Sequence, residues 1–142
     1  VETIMRKILP VLLALTSLGG CISPLPPVNP QMAWVDLETR TGTLVMAESL
    51  DKHRLRDGRF FQVTPGSHDL LARFDYEVYI GGMAMSTELP NRLCYLSVHY
   101  DHFEAGQRYR LEGIALGFNA SARLYNSKGE VVAEQNNVFC IP

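Results

Sequence analysis

Three cysteines, a short histidine-containing run and a Ser-His-Asp tripeptide are the parts of this 142-residue chain whose side chains could do chemistry. An odd cysteine count means that at least one of Cys21, Cys94 and Cys140 does something other than pair within the chain. His99-Tyr100-Asp101-His102 carries metal-ligand types. On a strand, however, the i, i+3 spacing sends its two imidazoles to opposite faces. A catalytic zinc needs three protein ligands, and no third stands nearby, so no metal is expected. Ser67-His68-Asp69 has the letters of a hydrolase triad, but as immediate neighbours they cannot form the relay, and the segment reads as a turn. Asp75 and Glu77 share a strand face with Arg73, which is the charged row of a hydrated sheet surface. A glycosidase needs its two carboxylates on separate elements across a cleft. Arg108-Tyr109-Arg110 is too small a basic patch for a polyanion, and a formal net charge of −2 has the wrong sign for a nucleic-acid binder. These residues imply no enzyme, no cofactor and no nucleic-acid partner.

The elements that would position them read as strands. Leu70, Ala72, Phe74, Tyr76 and Val78 fall on one face of an alternating run, and Arg73, Asp75 and Glu77 fall on the other. Leu93 to Tyr100 alternates as well and puts Cys94, Leu96, Val98 and Tyr100 together. Met32 to Leu37, Thr43 to Leu50, Arg59 to Thr64, Tyr109 to Leu111, Leu116 to Tyr125, Val131 to Ala133 and Val138 to Ile141 complete the set. Asp57-Gly58, Pro65-Gly66-Ser67, Ala105-Gly106 and Asn126-Ser127-Lys128-Gly129 supply turns between them. Short strands spaced by turn signals, with no helical apolar stripe, predict an all-β domain: a two-layer antiparallel β-sandwich over residues 32–142.

The start of the chain is different. After Met5, Arg6 and Lys7 precede an apolar run from Ile8 to Leu18, too short to cross a bilayer but suited to the core of a signal peptide. Leu18-Gly19-Gly20-Cys21 resembles the lipobox of bacterial lipoproteins. That resemblance implies a signal peptide over residues 1–20 and an acylated Cys21 anchored in a membrane through its lipid chains. Ile22 and Ser23 stand where the family's inner-membrane retention signal has Asp. The resemblance therefore implies the outer membrane, facing the periplasm. Pro24, Pro26, Pro27 and Pro30 make residues 21–31 a Pro-rich tether of extended geometry.

With Cys21 acylated, Cys94 and Cys140 remain as an even pair in an oxidising compartment, where a disulfide is the expected state. The rival role for Cys94, a thiol activated by His99, needs the two on one face, and a strand separates them.

Gly58 to Leu70 resembles the strand, Pro-Gly, short polar step, strand pattern of PEGA-type domains. Phe103 to Leu111 resembles the Ala-Gly hairpin of small envelope lipoproteins. Both resemblances imply an immunoglobulin- or transthyretin-like sandwich that is usually non-catalytic. One insertion stands out, Ile80 to Arg92. Its Gly81 and Gly82 give freedom, and Met83 and Met85 give adaptable apolar contacts, so it is the candidate loop for gripping a protein partner. The expected role is a lipid-anchored binding or assembly module of the cell envelope. An immunity or inhibitor lipoprotein that blocks a toxin or lytic enzyme is the alternative.

Overall fold

The computed structural model describes residues 20–40, 44–79 and 90–142. The chain is all-β. Its strands are β1 (Ala33–Thr39), β2 (Leu44–Leu50), β3 (His53–Arg54), β4 (Phe60–Val63), β5 (Gly66–Glu77), β6 (Asn91–Phe103), β7 (Arg108–Leu116), β8 (Asn119–Tyr125) and β9 (Val131–Ile141). Residues 1–19 of the expected signal peptide and Gly81, Gly82, Met83 and Met85 lie outside the described residues.

The period-two pattern does what it predicts in β5. Leu70, Ala72, Phe74, Tyr76 and Val78 are buried, while Arg73, Asp75 and Glu77 face outward. Each large apolar side chain so buried stabilises the fold by roughly 1.5–3 kcal/mol. Cys94, Leu96 and Val98 of β6 enter the same core, and Val35, Phe61, Val63, Leu111 and Leu124 close it from across.

The strands form one continuous curled sheet in the order β3-β2-β5-β6-β9-β8-β7-β1-β4. Its halves face each other tightly. A Cβ placed on Gly113 of β7 would stand 2.6 Å from Val45 Cγ2 on β2 and 3.3 Å from Phe74 on β5. Its margins also meet, because the Ala47 N–H donates to the Gly58 carbonyl at 2.8 Å.

Several features differ from the expected strand list: β3 is not on it, and Ser67-His68-Asp69, expected as a turn, lies inside β5, where its backbone pairs with β6. The pairing of β1 with β7 is parallel. Charge complementarity across that seam holds it, with Arg108 on Asp36 at 2.6 Å and Arg110 on Glu38 at 2.9 Å. The segment expected as one strand from Leu116 to Tyr125 is cut by a turn in which Gly117 takes φ +58°, so Leu116 ends β7. Finally, the two short strands expected at the end are one strand. Ladder bonds come from the backbone, so the polar residues Glu134 to Asn137 do not interrupt β9. Its first part pairs with β8 and the remainder with β6.

The Pro-rich segment touches the body at two points beside β4. Arg59 Nη1 donates to the Ser23 carbonyl at 2.8 Å, and the Asn29 N–H donates to Gln62 Oε1 at 3.2 Å. Near it, Trp34 is buried and stacks on Phe60 with centroids 4.3 Å apart, and its Nε1 donates to Asp36.

Candidate functional site

The outward face of β5 and β6 gathers most of the residues that could do chemistry. Residues two apart on a strand share a face, so Ser67 and Asp69 of β5 stand together. The antiparallel register sets Asp69 directly opposite His99 of β6, with Asp101 two residues further along. His99 Nδ1 is 2.6 Å from Asp69 Oδ1, and its Nε2 is 2.7 Å from Asp101 Oδ1. The Ser67 hydroxyl donates to Asp101 at 3.0 Å and lies 3.3 Å from His99 Nε2.

These contacts reproduce the connectivity of a serine, histidine and aspartate relay, with His99 in place of the neighbouring His68. Linear spacing does not reveal it, because the partner comes from another strand. The protons, however, sit in the wrong place for a nucleophile. Carboxylate oxygens only accept, so an imidazole between two of them carries protons on both nitrogens. The bonds to Asp69 first, then to Asp101, raise the His99 pKa above its ordinary value, and His99 and Ser67 hold the Asp101 carboxyl below its own. A serine attacking a carbonyl needs an unprotonated Nε2 to receive its proton. Here Nε2 is directed at Asp101, and the raised pKa favours its already holding a proton. The cluster is an imidazolium clasped by two carboxylates on an open strand face, with 40% of the His99 side chain exposed.

His68 points to the other side of β5. Its Nδ1 is 2.6 Å from Asp51 Oδ2, and its Nε2 is 2.7 Å from the Thr64 carbonyl. Asp51 also receives the Asp69 N–H, so this pair ties the turn after β2 to the start of β5. His68 thus ties a turn to β5 while His99 ties β5 to β6, and the two imidazoles do not converge. Among the described residues, no group of three or more His, Cys, Asp or Glu is arranged to hold a metal ion. Arg73 bonds Asp75 at 3.0 Å along the outward row.

Cys94 and Cys140 are joined by a disulfide between directly paired positions of β6 and β9. His99 lies on the opposite face of β6 from Cys94. Cys21 is a free, exposed thiol two residues from the Ser23 contact.

A second feature gathers at one end of the sheet, where β5 and β7 finish and β6 begins. Leu116 is 74% exposed, Tyr79 69% and Phe118 53%. Tyr79 and Leu116 line one shallow hollow, and the Arg92 guanidinium lies 5.5 Å from the centre of the Phe118 ring. Leu44 and Ile141 are also exposed, on strands that run to this end. The Val78 N–H donates to the Pro90 carbonyl at 2.8 Å, so the segment carrying Met83 and Met85 leaves and re-enters the sheet here. Exposed apolar groups, one of them (Phe118) under a guanidinium, had no signature in the strand pattern. Their neighbours come from non-adjacent strands.

The chain matches no family model, no curated protein and no solved structure.

Proposed function

We propose that this protein is a lipid-anchored, non-catalytic binding module of the bacterial cell envelope, held on the periplasmic face of the outer membrane through acyl chains on Cys21. The observation that carries the binding role is the apolar end of the sheet, where Tyr79, Leu116 and Phe118 remain in water and Arg92 lies over the Phe118 ring. Contiguous exposed apolar groups with an aromatic and an arginine among them suit a protein partner. The two carboxylates that clasp His99 and raise its pKa favour a structural rather than a nucleophilic role for the Ser67 cluster. The placement in the envelope rests on the basic, apolar and lipobox pattern ending at Cys21.

Two measurements test the reading. Cys21→Ser moves the protein from the membrane to the soluble fraction; sedimentation unchanged by the substitution overturns the anchor. A photo-crosslinker at Phe118 gives a discrete protein adduct in intact envelopes that Leu116→Asp abolishes, while one at Lys128, in the β8–β9 turn, gives none. Equal adducts from both positions overturn the assignment of the binding end.

A further inference from the structure

The outer face of the sheet carries a third feature, away from the apolar end and bordering the clasped imidazolium, with which it shares Asp69. A depression of about 330 Å³ opens across β2, β5, β6 and β9. Leu71 lies in its wall, and Asp69, Ser97, Asn136, Asn137 and Lys52 supply polar groups around it. Its size falls at the small end of ligand pockets, which run from roughly 300 Å³ upward.

Two interruptions of the ladder shape it. In β9 the register steps from Asn137 opposite Ser97 to Gln135 opposite Val98, so Asn136 is an extra residue. That bulge lets two successive asparagines border one depression, where a regular strand would turn one of them away. In β2 the register steps between Ala47 and Ser49, and Ser49 lines the opposite side. Bulges recur where a side chain must be re-aimed, and here both flank the same hollow.

An aromatic platform adjoins it. The register sets Tyr95 of β6 opposite Phe139 of β9, one outward row beyond Ser97 and Asn137. Two strand residues separate these rows by about 7 Å. Phe139 is 60% exposed, although its neighbour in sequence is the disulfide-bonded Cys140.

From this placement we propose that the outer face of β5, β6 and β9 binds a chain of acetamido sugars. The ring faces of such a sugar are apolar and fit Phe139 and Tyr95. Its hydroxyls and amide both donate and accept, as do Asn136, Asn137 and Ser97, and Asp69 accepts. The acetyl methyl has Leu71 to meet. One lysine and one aspartate leave the rim without the positive excess that an anion would need. The site makes no use of Cys21 and stands whether or not the protein is acylated.

Titration of the full chain in detergent with a tetramer of β-1,4-linked N-acetylglucosamine tests it, with the corresponding glucose tetramer as control. The acetamido tetramer binds at least about tenfold more tightly than the glucose tetramer, the discrimination that one contact to the acetamido group, absent from glucose, supplies. Phe139→Ala and Asn137→Ala each weaken it about tenfold, the loss of one aromatic or hydrogen-bonded contact. Phe118→Ala, at the apolar end, leaves it unchanged. Both site positions are exposed, and an unaltered melting temperature shows that the variants are folded. Co-sedimentation with peptidoglycan sacculi or with lipopolysaccharide micelles separates the two envelope sources of such sugars. Absence of binding to the acetamido tetramer, equal affinity for the two tetramers, or undiminished affinity in both site variants overturns the proposal.

Discussion

His99 sets a pH dependence that belongs to single residues. Its pKa is raised in the fold by the bonds to Asp69 and Asp101, so the stability it contributes is fully present below the unfolded value of 6.5. That contribution is lost as pH rises through the folded value. Asp101 works in the other direction: its lowered pKa adds stability above 3.8 that fades as pH falls through the folded value. The clasp is therefore strongest in mildly acidic solution. Melting curves of the wild type and His99→Gln are expected to differ most near pH 5–6 and to approach each other in alkaline buffer; a pH-independent difference would refute the clasp. A second residue, Glu112 of β7, has a side chain that is 1% exposed on the strand between β1 and β8. Arg40 Nε stands 2.6 Å from it and Arg110 Nη1 3.6 Å, yet neither carboxylate oxygen has an aligned hydrogen bond among the described residues. Arg40→Ala leaves that charge poorly compensated and should cost about 1–3 kcal/mol in denaturant titration. Glu112→Met should be neutral or stabilising, because a packed apolar side chain avoids the desolvation cost. None of these partnerships is legible in the sequence. Asp69 and His99 are adjacent only through the register of β5 with β6, and Arg40 reaches Glu112 only across the parallel seam.

At the scale of elements, the chain is easiest to read where burial is one-sided. In β5 the alternation names every inward residue from Leu70 to Tyr76 and runs on to Val78 just past its end, and in β6 it places Cys94 on the inward face beside Leu96. A turn is equally legible where a side chain builds it: Asn126 Oδ1 accepts the N–H groups of Lys128 and Glu130, and Gly129 supplies φ +80°. β9 is hard to read, since Glu134 to Asn137 carry no apolar signal and backbone bonding alone holds them in the ladder. Its register with β6 places Cys140 opposite Cys94, and the disulfide spans 46 residues of chain. A loop of that size contributes about 4 kcal/mol in the chain-entropy model. Reductant should lower the melting temperature, and Cys140→Ser should reproduce the lowered value; coincident melts with and without reductant would argue that the bond contributes nothing.

Across the whole molecule, stability depends on how closely the two halves of the curled sheet approach. Gly113 marks the tightest point, and Gly113→Ala forces a methyl group against Val45. The expected cost is about 1–3 kcal/mol, visible as a lower denaturant midpoint, and adding Val45→Ala should recover part of it. Independent, additive losses in the double variant would show that the halves do not meet there. The all-β class follows from local alternation, but the curl does not, because it depends on β1 lying parallel to β7, some seventy positions later in the chain. The position of β9 also governs the order of assembly. A polypeptide emerging amino end first exposes β6 and β8 before the strand that lies between them exists. Until the final residues of β9 are free, both strands present bare backbone groups to the surroundings. Any neighbouring copy at the same stage could lend its own β9 to fill that gap. Newly made chains would then need to be kept apart, by dilution or by a chaperone, until each has inserted its own last strand.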